Sequence, residues 1–158
     1  MHALMVKVAG RYRPAAKDEI LSVAVQYAVQ DAPRALAQSP AAVIRLARPF
    51  MAAREREAFY VMWLDGRHAL IAIDELFQGT VDASPVFPRE VAKRALERNA
   101  VAAIFIHNHP SGNLQPSPGD ESITRRMKET LGLLDISVLD HFIVSATGHY
   151  SMAEHGLI

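Results

Sequence analysis

Cysteine is absent from the 158 residues. Its absence excludes disulfides, thiolate zinc sites, zinc deaminases of the Cys-x-x-Cys kind and any cysteine nucleophile. Charge of one sign is missing too, since 17 Lys and Arg face 17 Asp and Glu. Neither a basic excess nor a polybasic run advertises nucleic acid or an anionic membrane surface. Long apolar runs are also lacking: stretches such as Ala100 to Ile106 are far too short to span a bilayer. Met1 to Lys7 is followed by no apolar core or cleavage site of a signal peptide. The expectation is a cytoplasmic protein with no membrane anchor. Half of the residues are apolar and 22% are charged, a globular composition far from the disordered class. At this length one core buries roughly two thirds of the surface the unfolded chain exposes.

Periodicity then divides the chain. Ile20, Leu21, Ala24, Val25, Ala28 and Val29 fall on one face of a helix that Asp31-Ala32-Pro33 closes. Residues 1–36 thus read as a helical accessory segment, and 37–158 as the main domain. Ser39 and Pro40 open a second helix, which Pro49 is expected to stop. Phe59 to Leu64 and Leu70 to Ile73 read as a hairpin turning at Asp65-Gly66, with a further extended piece through Gly79-Thr80-Val81. A helix from Pro88, a buried strand over Val101 to Ile106, a helix from Pro118 and a strand from Ile136 to Val144 follow. This order predicts an α/β layer: a mixed sheet flanked by helices.

Chemistry concentrates between His107 and Asp120. Side chains two apart on an extended backbone point the same way, so His107 and His109 converge at a strand's end. With Asp120 they supply three ligands and leave a tetrahedral zinc one open position, as a catalytic ion needs. Zinc is inferred from ligand type, because affinity order alone does not select it. Asp120 has an equally weighted second reading. Ser117-Pro118-Gly119-Asp120 spells a capping box, with Ser117 as N-cap and a carboxylate three residues on. The two readings are compatible. His107-Asn108-His109 does not spell an HNH nuclease, whose residues are spread over a hairpin and a helix.

His-x-His, seven residues beginning with Pro110, then Ser-x-x-Asp resembles the JAMM motif of MPN/JAB metalloproteases. Leu76-Phe77-x-Gly79-Thr80, Pro88-Arg89-Glu90-Val91, His107 to Gly112 and Leu139-Asp140-His141-Phe142-Ile143-Val144 together resemble the RadC family, from about residue 37 onward. Full-length members carry a longer helical start with helix-hairpin-helix character. No Gly-rich hairpin of that kind stands here, so the resemblance is to a short, single-domain form. It implies an MPN fold, similar to cytidine deaminases, with a twisted sheet between helices. It implies zinc on His107, His109 and Asp120, Ser117 as hydrogen-bond donor to the water or oxyanion, and Glu57 as general base. Without the resemblance, Glu57 reads as a solvated member of Arg54-Glu55-Arg56-Glu57. Glu55 and Glu75 are fallback bases.

The implied activity is zinc-dependent hydrolysis of a peptide or isopeptide bond in an unidentified protein or peptide. The alternatives are a non-catalytic metal-binding module and a DNA-repair role. Charge supports the latter little, since Glu90 and Glu97 interrupt the basic strip Arg89, Lys93, Arg94 and Arg98. Asp140 is a candidate to fix the tautomer of a ligating histidine, although a structural bond to a neighbouring loop is the stronger reading. His2, His68, His149 and His155 lack partner spacing and read as surface residues, whereas Trp63 and Phe105 read as core.

Overall fold

Alternation along each strand decides what the sheet buries. The computed structural model describes residues 4–16, 19–20, 23, 37, 39–51, 54–79 and 87–158. A five-stranded mixed sheet is built from β3 (Ala58–Leu64), β4 (Leu70–Gln78), β5 (Ala102–Asn108), β6 (Ser137–Val144) and β7 (His149–Ser151), in the order β4-β3-β5-β6-β7. Only β5 and β6 run parallel. The connection between them carries α3 (Pro118–Gly132), as a parallel pair requires. Two further helices cover the sheet, α1 (Pro40–Met51) and α2 (Pro88–Glu97).

β3 and β5 are buried along their whole length, so both faces must be covered. Ala58, Tyr60, Met62 and Leu64 of β3 with Ile104 and Ile106 of β5 pack beneath Val43, Ile44, Ala47 and Met51 of α1. Phe59, Val61, Trp63, Ala103 and Phe105 point the opposite way, against Val91 and Ala95 of α2 and Ile123, Met127 and Leu131 of α3. Trp63 and Phe105 are core, as expected. By the same parity, His107 belongs to the face that α3 covers.

Several local expectations change. Residues 5–14 form an exposed hairpin, β1 (Met5–Val8) against β2 (Arg11–Pro14), where a helical segment was expected. Ala9 and Gly10 both hold positive φ, 49° and 81°, the requirement of a two-residue turn between twisted strands. The helix expected from Ile20 to Val29 falls almost wholly outside the described residues. α1 does not stop at Pro49 but runs to Met51, whose burial in the core rewards the extra turn. In the β3–β4 turn the positive φ belongs to His68 (59°), not Gly66, because Asp65 Oδ1 gathers the amides of Arg67 and Ala69 at 2.8 and 2.9 Å. β4 continues to Gln78, and residues 80 and 81 of the expected extended piece lie outside the described residues. β7 was not expected at all. Among the described residues, no helix is long and apolar enough to cross a membrane.

Candidate metal centre

The centre forms where β5 ends beside the start of α3. His109 continues the pairing with β6 for one residue, its amide donating to the Val144 carbonyl at 3.0 Å. The chain then turns through Gly112, whose φ of 82° suits a residue without a Cβ, and the Gly112 amide donates back to His109 O at 3.0 Å. This turn fixes the His109 ring: Nδ1 lies 2.6 Å from the Asn113 carbonyl, which can only accept. A neutral His109 therefore presents a bare Nε2 to the cluster.

Ser117 caps α3, and the capping box is complete. Its amide and hydroxyl both donate to Asp120 Oδ2 at 2.7 Å, while the Asp120 amide donates to Ser117 Oγ at 3.1 Å. The cap occupies Oδ2. Oδ1 points elsewhere, to 3.3 Å from His107 Nε2. One carboxylate thus serves as cap and faces the two imidazoles, which is why the two sequence readings do not compete. His107 Nε2 and His109 Nε2 are 2.8 Å apart, and His109 Nε2 is 3.6 Å from Asp120 Oδ2. A tetrahedral ion with bonds of about 2.0–2.1 Å separates its ligand atoms by roughly 3.3 Å. The observed spacings bracket that figure, and these three residues form a group able to hold a metal ion.

Electrostatics agree with the geometry. Burial pushes the His107 ring down to about 4, against the attraction of Asp120. A hydrogen bond to Asp120 raises His109, with further help from the Asn113 carbonyl. Burial opposes the Asp120 charge, but His109, His107 and Ser117 together hold its carboxyl below the ordinary range. The donor set is nitrogen, nitrogen and an ionised oxygen around one point.

The β3–β5 pairing ends at Phe59 opposite His107, and the same register continued by two residues sets Glu57 beside His109. Glu57 is half-buried, and its charge contributes to the raised pKa of His109. Its segment is pinned by Asn108, which lies between the two histidines. Asn108 Oδ1 accepts from the Ala58 amide at 2.8 Å, and Nδ2 donates to the Arg56 carbonyl at 3.0 Å. The Gly79 amide donates to Glu57 O at 2.8 Å. Asn108→Ala is expected to cost about 1–3 kcal/mol, because a buried amide loses its acceptor; urea unfolding at constant m-value measures it. The fallback glutamates sit elsewhere. Glu55 is exposed, and Glu75 accepts from Arg54 Nη2 at 2.6 Å and from the Tyr60 hydroxyl, on the face that α1 covers.

Asp140 takes the structural role. Its oxygens accept from Ser151 Oγ at 2.5 Å and the amides of His141 and Ala153 at 2.7 and 3.0 Å, which tethers β7 and the following turn. Its neighbour His141, singled out with Asp140 in the sequence, is the one of the pair that reaches the cluster. His141 Nε2 lies 2.8 Å from His107 Nδ1, and His141 Nδ1 lies 2.6 Å from Thr124 Oγ1. The signal was the polar pair Asp140-His141 inside a strand of mostly apolar residues, since buried polar groups must find partners. On α2, Arg89 pairs with Glu90, while Lys93 and Arg94 pair with Glu97, and Arg98 holds Asp74.

Residues 37–157 match the family described as the RadC-like JAB domain. A UPF0758 protein of Vibrio campbellii is 53% identical over 105 residues, covering 66% of this chain and 47% of that protein. One from Variovorax paradoxus is 46% identical over 125 residues, covering 79% and 56%. One from Stenotrophomonas maltophilia is 47% identical over 124 residues, covering 78% and 53%. The chain spans about half the length of the curated relatives it matches. A match running from residue 37 nearly to the end, over the same residues that build the sheet and the histidine–aspartate cluster, leaves one conclusion: the chain belongs to the family of RadC-like JAB domains.

Proposed function

We propose that this domain is a zinc-dependent hydrolase of peptide or isopeptide bonds. The observation that carries the reading is the convergence of His107, His109 and the Asp120 carboxylate on one point, with Glu57 just before the strand that pairs with β5. A zinc ion held by these three residues supplies a polarised carbonyl and a water acidified from about 15.7 to about 7. The remaining work falls to the protein. Glu57 removes a proton from water as the oxygen bonds to the amide carbon, then delivers that proton to the amine nitrogen as the carbon–nitrogen bond breaks. In the present structure the Ser117 hydroxyl proton is committed to Asp120 Oδ2. Its proposed second role, donating to the developing oxyanion, requires that hydroxyl to rotate toward substrate.

The test uses zinc-loaded full-length chain, an internally quenched peptide library and a lysine-isopeptide probe. Glu57→Gln is expected to keep one zinc per chain by elemental analysis while losing roughly 10²–10⁴-fold in rate. Equal rates for this variant and wild type would falsify the base assignment. Zinc-loaded protein inert on every probe defeats the hydrolase reading and leaves a binding module.

A further inference from the structure

Three buried bonds run from one candidate ligand to another. Thr124 Oγ1 lies 2.5 Å from the Asp120 carbonyl, one helical turn earlier, and 2.6 Å from His141 Nδ1. A carbonyl has no proton to give, so the single hydroxyl proton of Thr124 goes to Asp120. Toward His141 the hydroxyl offers only lone pairs, and Nδ1 of His141 must be the donor. His141 is fully buried, with its ring centroid 5.3 Å from Phe59 and 5.8 Å from Phe105, both edge-on, where a neutral ring is the form that fits. A neutral ring protonated at Nδ1 has a bare Nε2. At 2.8 Å that Nε2 accepts from His107 Nδ1. His107 is thereby held as the Nδ1–H tautomer, and its bare Nε2 accepts from His109 Nε2 at 2.8 Å in the metal-free protein, where His109 beside Asp120 carries the proton of that contact.

We infer that His141 and Thr124 are positioning residues that set the tautomer and aim of His107 and bind it, through a closed chain of hydrogen bonds, to the backbone of Asp120. The two ligands come from different elements, β5 and α3, and this chain is what registers one against the other. Each link has one polarity, and reversing any of them places a proton on the His107 nitrogen that faces the ion. Histidine ligands are ordinarily steadied by a carboxylate, a carbonyl or water, and loss of such partners costs roughly 10–100-fold in metal affinity. Here an imidazole does that work, and its own orientation depends on a threonine hydroxyl. The inference rests on reading His107 as a metal ligand, so its test separates the two.

Zinc affinity of the full chain is measured by competition with a chromophoric chelator for wild type, Thr124→Val, Thr124→Ser and His141→Leu. Ring tautomers of the metal-free protein are read from long-range ¹⁵N–¹H correlations. Thr124→Val, which keeps the shape but removes the hydroxyl, is expected to weaken zinc about 10–100-fold. Thr124→Ser, which restores the hydroxyl, returns affinity to near wild type. His141→Leu weakens zinc at least as much as Thr124→Val; if it does not fold, the threonine pair carries the test alone. Metal-free wild type is expected to show His107 protonated at Nδ1. Unchanged affinity in Thr124→Val, or a His107 ring protonated at Nε2, overturns the inference. Wild type that shows the Nδ1–H ring yet takes up no zinc supports the tautomer control and overturns the metal reading instead.

Discussion

Replacing His109 with alanine is expected to remove zinc from the purified protein, taking the content from one ion per chain to none by elemental analysis. The expectation follows from ligand number. Three protein ligands hold a catalytic zinc, and two hold it poorly enough for ordinary chelators to extract it. The loss should exceed the roughly 10–100-fold that removal of an outer hydrogen-bond partner costs. His109 is the informative choice because the fold depends on it less than on His107. Its side chain is 12% exposed against 2% for His107, and its Nδ1 bond goes to the adjacent turn at Asn113. His109→Ala should therefore fold, so zinc loss is not confused with unfolding. Binding to the native state alone adds RT ln(1 + [Zn]/Kd), about 2.7 kcal/mol at free zinc one hundred times Kd. Wild type should melt higher when zinc is added, and the variant should not respond. A variant that keeps one zinc and its thermal response defeats the three-ligand site.

Which of these features a reader could find in the sequence depends on how local their causes are. The spacing of His107, His109 and Asp120 was legible because one strand and one helix start fix all three side chains. The capping box was legible for the same reason, since Ser117 and Asp120 are neighbours in one turn. The tautomer partner was not. Asp140 and His141 are adjacent in β6, and only the register against β5, Phe105 beside His141, shows which of the two reaches the cluster. Glu57 needed tertiary information as well. Alone it is one charge in a run of four, and only the register of β3 against β5, continued by two residues, sets it beside His109. The fold class followed from the strand and helix order, whereas β7 and the β1–β2 hairpin escaped because three- and four-residue strands carry too little periodicity to announce themselves.

The second large effect concerns the packing beneath the site. Phe105→Ala is expected to destabilise the domain by ~3–5 kcal/mol, since a fully buried ring is replaced by a cavity that the sheet cannot close. That is a large share of the 5–15 kcal/mol typical of a folded domain, and urea unfolding should show it as a lower midpoint at unchanged m-value. Its consequence for the metal centre is separable from its cost. The Phe105 ring sits against Phe59 at 5.5 Å and against the edge of His141 at 5.8 Å, so the cavity opens directly beside the imidazole that holds His107. Leu131→Ala provides the comparison. Leu131 is equally buried in the same core layer, near the far end of α3 from Asp120, and its loss should cost ~2–5 kcal/mol. Both variants should be weakened, but only Phe105→Ala should also weaken zinc, because only there does the lost volume free His141 to tilt. Equal zinc affinity in two variants of matched stability would mean that the hydrogen bonds through Thr124 hold His141 without help from the aromatic packing.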